Sequence, residues 1–84
     1  MNKIRIDKWL WAVRIFKTRS ISRTACSKGK IKINGKSVKP SYSITVKTII
    51  DVRKRYINHR YEVIDLIDKR VNAKLVNNYL NDIT

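Results

Sequence analysis

The chain has 84 residues, 43% of them hydrophobic, and a formal net charge of +14 at pH 7. That length predicts one domain over residues 1–84, with a thin core and no second one; the apolar content argues against disorder. The single cysteine, Cys26, excludes an internal disulfide and a paired-thiolate zinc site, in keeping with a reducing cytoplasmic setting.

The charge is lopsided. The first forty residues hold twelve Lys and Arg against one acid, Asp7, for a local +11, while the other forty-four contribute only +3. Such self-repulsion destabilises a compact chain, and a polyanion that releases counterions on binding relieves it. A solvated lysine face and a basic membrane-surface helix are the competing readings, but the latter needs a broad apolar face beside its charge. Asp7, Lys8 and Arg14 break the N-terminal apolar stretch, so neither a signal peptide nor a membrane span is expected there.

In chain order, Ile6, Trp9, Leu10, Val13 and Phe16 share the spacing of one helix face, with Asp7 in the first turn, where a carboxylate suits the helix dipole. A second helix is predicted from the N-cap Thr18 to Gly29, a residue able to take the left-handed conformation that ends helices. Its inner face carries the small residues Ser22, Ala25 and Cys26, which permit close approach of the two helices. Arg19 and Arg23 stand four apart on the outer side. Like charges at that spacing weaken a helix, and a local rule broken without structural gain points to function.

After Gly29 the period becomes two. Ile31 and Ile33 alternate with lysines, and Asn34-Gly35 is a strong hairpin signal. Lys36–Val38 forms the return strand, and Pro40-Ser41 reads as a turn. Further strands are predicted around Ile44, Val46 and residues 48–53. A second hairpin has its tip near Asn58-His59, with Tyr61, Val63 and Ile64 returning. A closing helix from about Asn72 would present Leu75, Val76, Tyr79, Leu80 and Ile83. The order gives an α+β class.

Residues 5–11 (Arg-Ile-Asp-Lys-Trp-Leu-Trp), then Lys17-Thr18-Arg19, Arg23 and residues 29–35 (Gly-Lys-Ile-Lys-Ile-Asn-Gly), resemble the S-four RNA-binding domain over about residues 4–53. Within that superfamily the chain is similar to the heat shock protein fifteen family and to the bacterial ribosome quality-control S-four proteins. The resemblance implies the S-four-like (alpha-L) fold, with two N-terminal helices packed on a small antiparallel sheet. It also implies ribosomal RNA of stalled, nascent-chain-carrying large subunits as ligand, with peptidyl-tRNA as a further one. The chain departs from the pattern at Lys47-Thr48, where a Gly-Asp pair is usual, which removes the residues that favour a tight turn and makes the loop more basic. The heat-shock relatives extend into a long basic C-terminal tail, and contacts made by such a tail are not expected here.

The candidate RNA contacts are Arg5, Lys8, Lys17, Thr18, Arg19, Arg23, Lys28, Lys30, Lys39 and Tyr42. A guanidinium grips phosphate with two parallel hydrogen bonds and an ammonium acts as a point charge, so the arginines set register and the lysines supply field. Thr18 has a cap role to fill first, and Tyr42 is positioned to touch ribose or base. Trp9 is expected in the core, Trp11 beneath the closing helix or on a base, and Cys26 as an inert buried thiol. No Gly-rich phosphate loop, metal-ligand spacing or nucleophile-base pair is present, so no cofactor and no enzymatic activity are expected. The protein is expected to be monomeric when free. An accessory subunit that delivers RNA to a separate enzyme, and a general nucleic-acid binder, remain as alternative readings.

Overall fold

The structure is a computed structural model that describes residues 3–54 and 56–83. Strand β1 (Ile4–Arg5) leads directly into helix α1 (Ile6–Ala12), and helix α2 (Arg19–Ser27) packs on it. Strands β2 (Ile31–Ile33), β3 (Lys36–Ser37), β4 (Ser43–Ile44), β5 (Ile49–Lys54) and β6 (Ile57–Val63) follow. A 3-10 helix (Ala73–Asn78) and strand β7 (Leu80–Asp82) close the described chain. One antiparallel sheet runs β3-β2-β5-β6-β7, and β1 pairs with β4 in a small second ladder. This is the α+β, S-four-like arrangement expected, two helices on an antiparallel sheet.

Alternation drives the packing. Ile31 and Ile33 of β2, Ile50 and Val52 of β5, Val63 of β6 and Leu80 of β7 meet Ile6, Trp9, Leu10 and Val13 of the first helical segment in one apolar cluster. Ser22, Ala25 and Cys26 turn inward from α2, and their small size lets the helices approach.

Both helices end in the same way. After α1, the Arg14 N–H donates to the Trp11 carbonyl and the Ile15 N–H to that of Leu10; after α2, Gly29 and Lys30 donate to Cys26 and Ala25. These are Schellman motifs, which place a left-handed residue just past the helix. Gly29 takes φ +74° without strain, and Arg14 takes φ +65° in spite of its side chain. The first helix therefore stops at Ala12, short of the expected Phe16, although Ile15 and Phe16 are still buried. Asn34 and Gly35 both have positive φ (+55° and +77°), as a two-residue hairpin turn of this type requires.

Three expectations are corrected. The closing helix is a single 3-10 segment followed by a strand. Leu80 buries against the sheet by pairing with Val63, and the Asn-rich run at residues 77, 78 and 81 favours turns over helix. The second hairpin has its tip beyond the expected Asn58-His59, because the β5–β6 ladder continues through Val52↔His59 and Arg53↔Asn58 to Lys54↔Ile57. Residue 55 lies outside the described residues. Lys47-Thr48 does form a tight turn: Lys47 adopts φ +74°, and its N–H donates to the Val63 carbonyl at 2.7 Å.

Candidate nucleic-acid interface

Asp7 organises the basic face. Its side chain is 1% exposed, and a carboxylate so buried needs compensating charge. Arg5 supplies a two-pronged contact, Nε to Oδ1 at 3.2 Å and Nη2 to Oδ2 at 3.1 Å. Arg19, at the start of α2, brings Nη2 to 3.9 Å from Oδ1. The Ser22 hydroxyl donates to the Asp7 carbonyl at 2.8 Å and ties the two helices at this point. Both arginine side chains remain 46% exposed. A guanidinium carries five N–H donors, so each keeps donors in water after meeting Asp7.

Arg23 follows one turn after Arg19 on the same flank of α2 and is exposed. Further along that flank, Cys26 and Ser27 share a cleft with Lys39 and Pro40. The Lys39–Tyr42 turn, closed by the Tyr42 N–H to the Lys39 carbonyl, lies against the start of α1: Ile6 and Asp7 donate their N–H groups to the carbonyls of Tyr42 and Pro40. Ser43 pairs with Arg5. Five of the ten expected residues, Arg5, Arg19, Arg23, Lys39 and Tyr42, are thereby gathered around the Asp7 junction.

The others lie apart. Lys8 is half-buried on α1, and Lys17 is exposed in the connection between the helices. Thr18 caps α2, its Oγ1 accepting the Ile21 N–H at 3.1 Å. Lys28 and Lys30 border the opposite flank of α2, on a groove that also includes Phe16, Ile21 and Lys54. Lys54 has a structural role there. Its Nζ donates to the Ile15 carbonyl at 2.7 Å and lies 5.4 Å from the Phe16 ring centre.

The buried groups are accounted for. Trp9 lies in the core, and its indole N–H donates to the Asp65 carbonyl at 3.0 Å. Trp11 is half-buried with the Arg70 guanidinium 6.0 Å from its ring. Burial, with a smaller contribution from the Asp7 charge, pushes the Cys26 thiol up to about 11. Among the described residues, no group of three or more His, Cys, Asp or Glu is placed to hold a metal. No helix among them is long and apolar enough to cross a membrane.

Reading the sequence missed the role of Asp7, seen there only as a helix-dipole partner. The available signal was its isolation as the one acid among twelve bases in forty residues. Asn34 in the hairpin turn and Lys36 just after it, which border a recess with Tyr42, were read there only as parts of the hairpin.

Residues 4–50 match the model of the S4 domain. The chain belongs to the S4 domain family. It is 34% identical over 74 residues to a heat shock protein 15 homolog of Aeromonas salmonicida, covering 88% of this chain and 56% of that protein. It is 36% identical over 50 residues to the RQC P-site tRNA stabilizing factor of Streptococcus pneumoniae, covering 60% of this chain and 57% of the relative. The chain thus spans little more than half the length of these curated relatives. A trimeric structure of heat shock protein 15 from Vibrio cholerae superposes with a TM-score of 0.90 at 32% identity, over 96% of this chain and 82% of that one. Family and fold together make this an S4 RNA-binding domain.

Proposed function

We propose that residues 1–84 act as one non-enzymatic module that binds ribosomal RNA of the large subunit, in subunits stalled with a nascent chain, and contacts peptidyl-tRNA there. The supporting observation is the buried Asp7 holding Arg5 and Arg19, with Arg23 one turn along, on an S4 chain of net charge +14. Arginines held in place by a carboxylate lose little freedom when they grip phosphate. Structured RNA is recognised mainly through shape, phosphates and 2′-hydroxyls, so the phosphate grip carries most of the affinity. A tRNA ligand is suggested by a relative named for stabilizing P-site tRNA, and the large subunit by the family resemblance of residues 5–35. Arg5, Lys8, Lys17, Thr18, Arg19, Arg23, Lys28, Lys30, Lys39 and Tyr42 are the proposed contacts, and the module works in the cytoplasm as a monomer when free. Light scattering of free protein tests the last point against the trimer described for the Vibrio relative.

Sedimentation of tagged protein through sucrose gradients of lysate, at low and high salt, is the test. Co-migration with free large subunits, lost as salt rises, is expected. Recovery in the light fractions alone, with RNA affinity retained in vitro, would favour the reading as an accessory subunit that delivers RNA to an enzyme.

A further inference from the structure

Beside the arginine cluster lies a recess of about 520 Å³, between the β2–β3 hairpin and the Lys39–Tyr42 turn. Its apolar lining is Ile33 and Val38, and it is bordered by Asn34, Lys36, Lys39 and Tyr42. Tyr42 is 43% exposed, and no side-chain hydrogen bond engages Asn34, Lys36, Lys39 or Tyr42 among the described residues. The chemistry is mixed in a particular way: an aromatic ring and apolar floor, an amide with both donor and acceptor, and two ammonium groups. A flat aromatic ligand that can hydrogen-bond at its edge and has anionic neighbours satisfies all three. A nucleobase in an RNA strand is such a ligand, stacking on aromatic side chains and exposing its edge once it leaves the helix. Continuity favours RNA as well, because Tyr42 bonds to the first residue of α1 and Ser43 pairs with Arg5.

We propose that this recess receives one unstacked nucleobase, with Tyr42 stacking on it, Asn34 meeting its edge, and Lys36 and Lys39 holding the flanking phosphates. The inference rests on the RNA-binding reading and narrows its ligand to an RNA helix with an extruded base beside it. A continuous duplex keeps its base faces within the stack and cannot fill the recess.

The probe is an RNA hairpin with a single bulged 2-aminopurine, compared with the same stem uninterrupted and end-labelled. The wild-type chain should bind the bulged RNA about fivefold to hundredfold more tightly and quench the 2-aminopurine emission. Tyr42→Ala should lose both the preference and the quenching, with its loss of affinity larger for the bulged RNA than for the uninterrupted stem, and Tyr42→Phe should keep both. Lys36→Ala, at an exposed strand position, should weaken binding of the bulged RNA alone by roughly two- to fivefold. Equal wild-type affinity for the two RNAs, or a preference surviving in Tyr42→Ala, would overturn the recess and leave RNA binding standing. Failure to bind either RNA would overturn both.

Discussion

Asp7 lies in the first turn of α1 and Arg19 opens α2, and their side chains meet at 3.9 Å with the Asp7 carboxylate out of solvent. The acid therefore both joins the two helices and orients the two arginines proposed to face RNA. Asp7→Asn removes the charge and keeps the shape. Coulomb's law alone would tighten RNA binding in that variant, since one negative charge is lost. The arrangement predicts the reverse: roughly three- to thirtyfold weaker binding as two arginines regain rotamer freedom. A stability loss of about 1–3 kcal/mol in urea titration should accompany it. Tighter binding in Asp7→Asn would mean that the acid only dilutes the positive field.

Arg19 and Arg23 separate cleanly as probes. Both were expected to point away from the fold, but Arg19 also compensates buried Asp7. Arg23→Ala should leave stability within about 0.5 kcal/mol of wild type, and Arg19→Ala should lower it by about 1 kcal/mol. With about five phosphates neutralised, log affinity should fall with log salt at a slope of about −3.5 to −4.5, and Arg23→Ala should reduce that slope by nearly one. An unchanged slope would place Arg23 outside the interface.

Lys47 is strained. At φ +74° a side chain costs of order 1 kcal/mol that glycine avoids, offset in part by the greater freedom of an unfolded glycine. Lys47→Gly should raise stability by about 0.5–1 kcal/mol, and Lys47→Val should lower it by more than that. Thermal denaturation of both variants checks the sign.

Cys26 makes stability depend on pH at the alkaline end. Its thiol titrates near 11 when folded, against 9.0 for an ordinary thiol, so between these values the unfolded chain has released a proton that the folded chain keeps. The stabilisation is complete below pH 9 and is lost as pH rises towards 11. Urea midpoints of wild type should fall faster across that window than those of Cys26→Ala. Parallel curves would show that the thiol is not shielded in the folded state.

Local signals were legible wherever one residue decides a geometry. Thr18 as cap, Gly29 past the helix end and Asn34-Gly35 at the turn are each visible in the sequence because few other residues suit those positions. The C-terminal strand was not, because Leu75, Val76, Tyr79 and Leu80 fit a helical stripe and only the free edge of β6 decides otherwise. Arg14 and Lys47 were hidden for a related reason. Tertiary contacts hold them in left-handed conformations that their own side chains disfavour: the Arg14 guanidinium donates to the Val71 carbonyl, and the Lys47 N–H to that of Val63. In the interface, net charge revealed the partner class, but the division of the cations between two flanks of α2 required the fold.

The bond from the Trp9 indole to Asp65, and that from the Val71 N–H to the Ala12 carbonyl, bind the first helix to chain made some sixty residues later. On a translating ribosome the basic half emerges first, yet its tryptophan has no hydrogen-bond acceptor and its helix end no tether until the later segment has followed. The anchoring of the first helix is therefore complete only once residues 65–71 have followed, and until then the most cationic part of the chain stands without these two bonds.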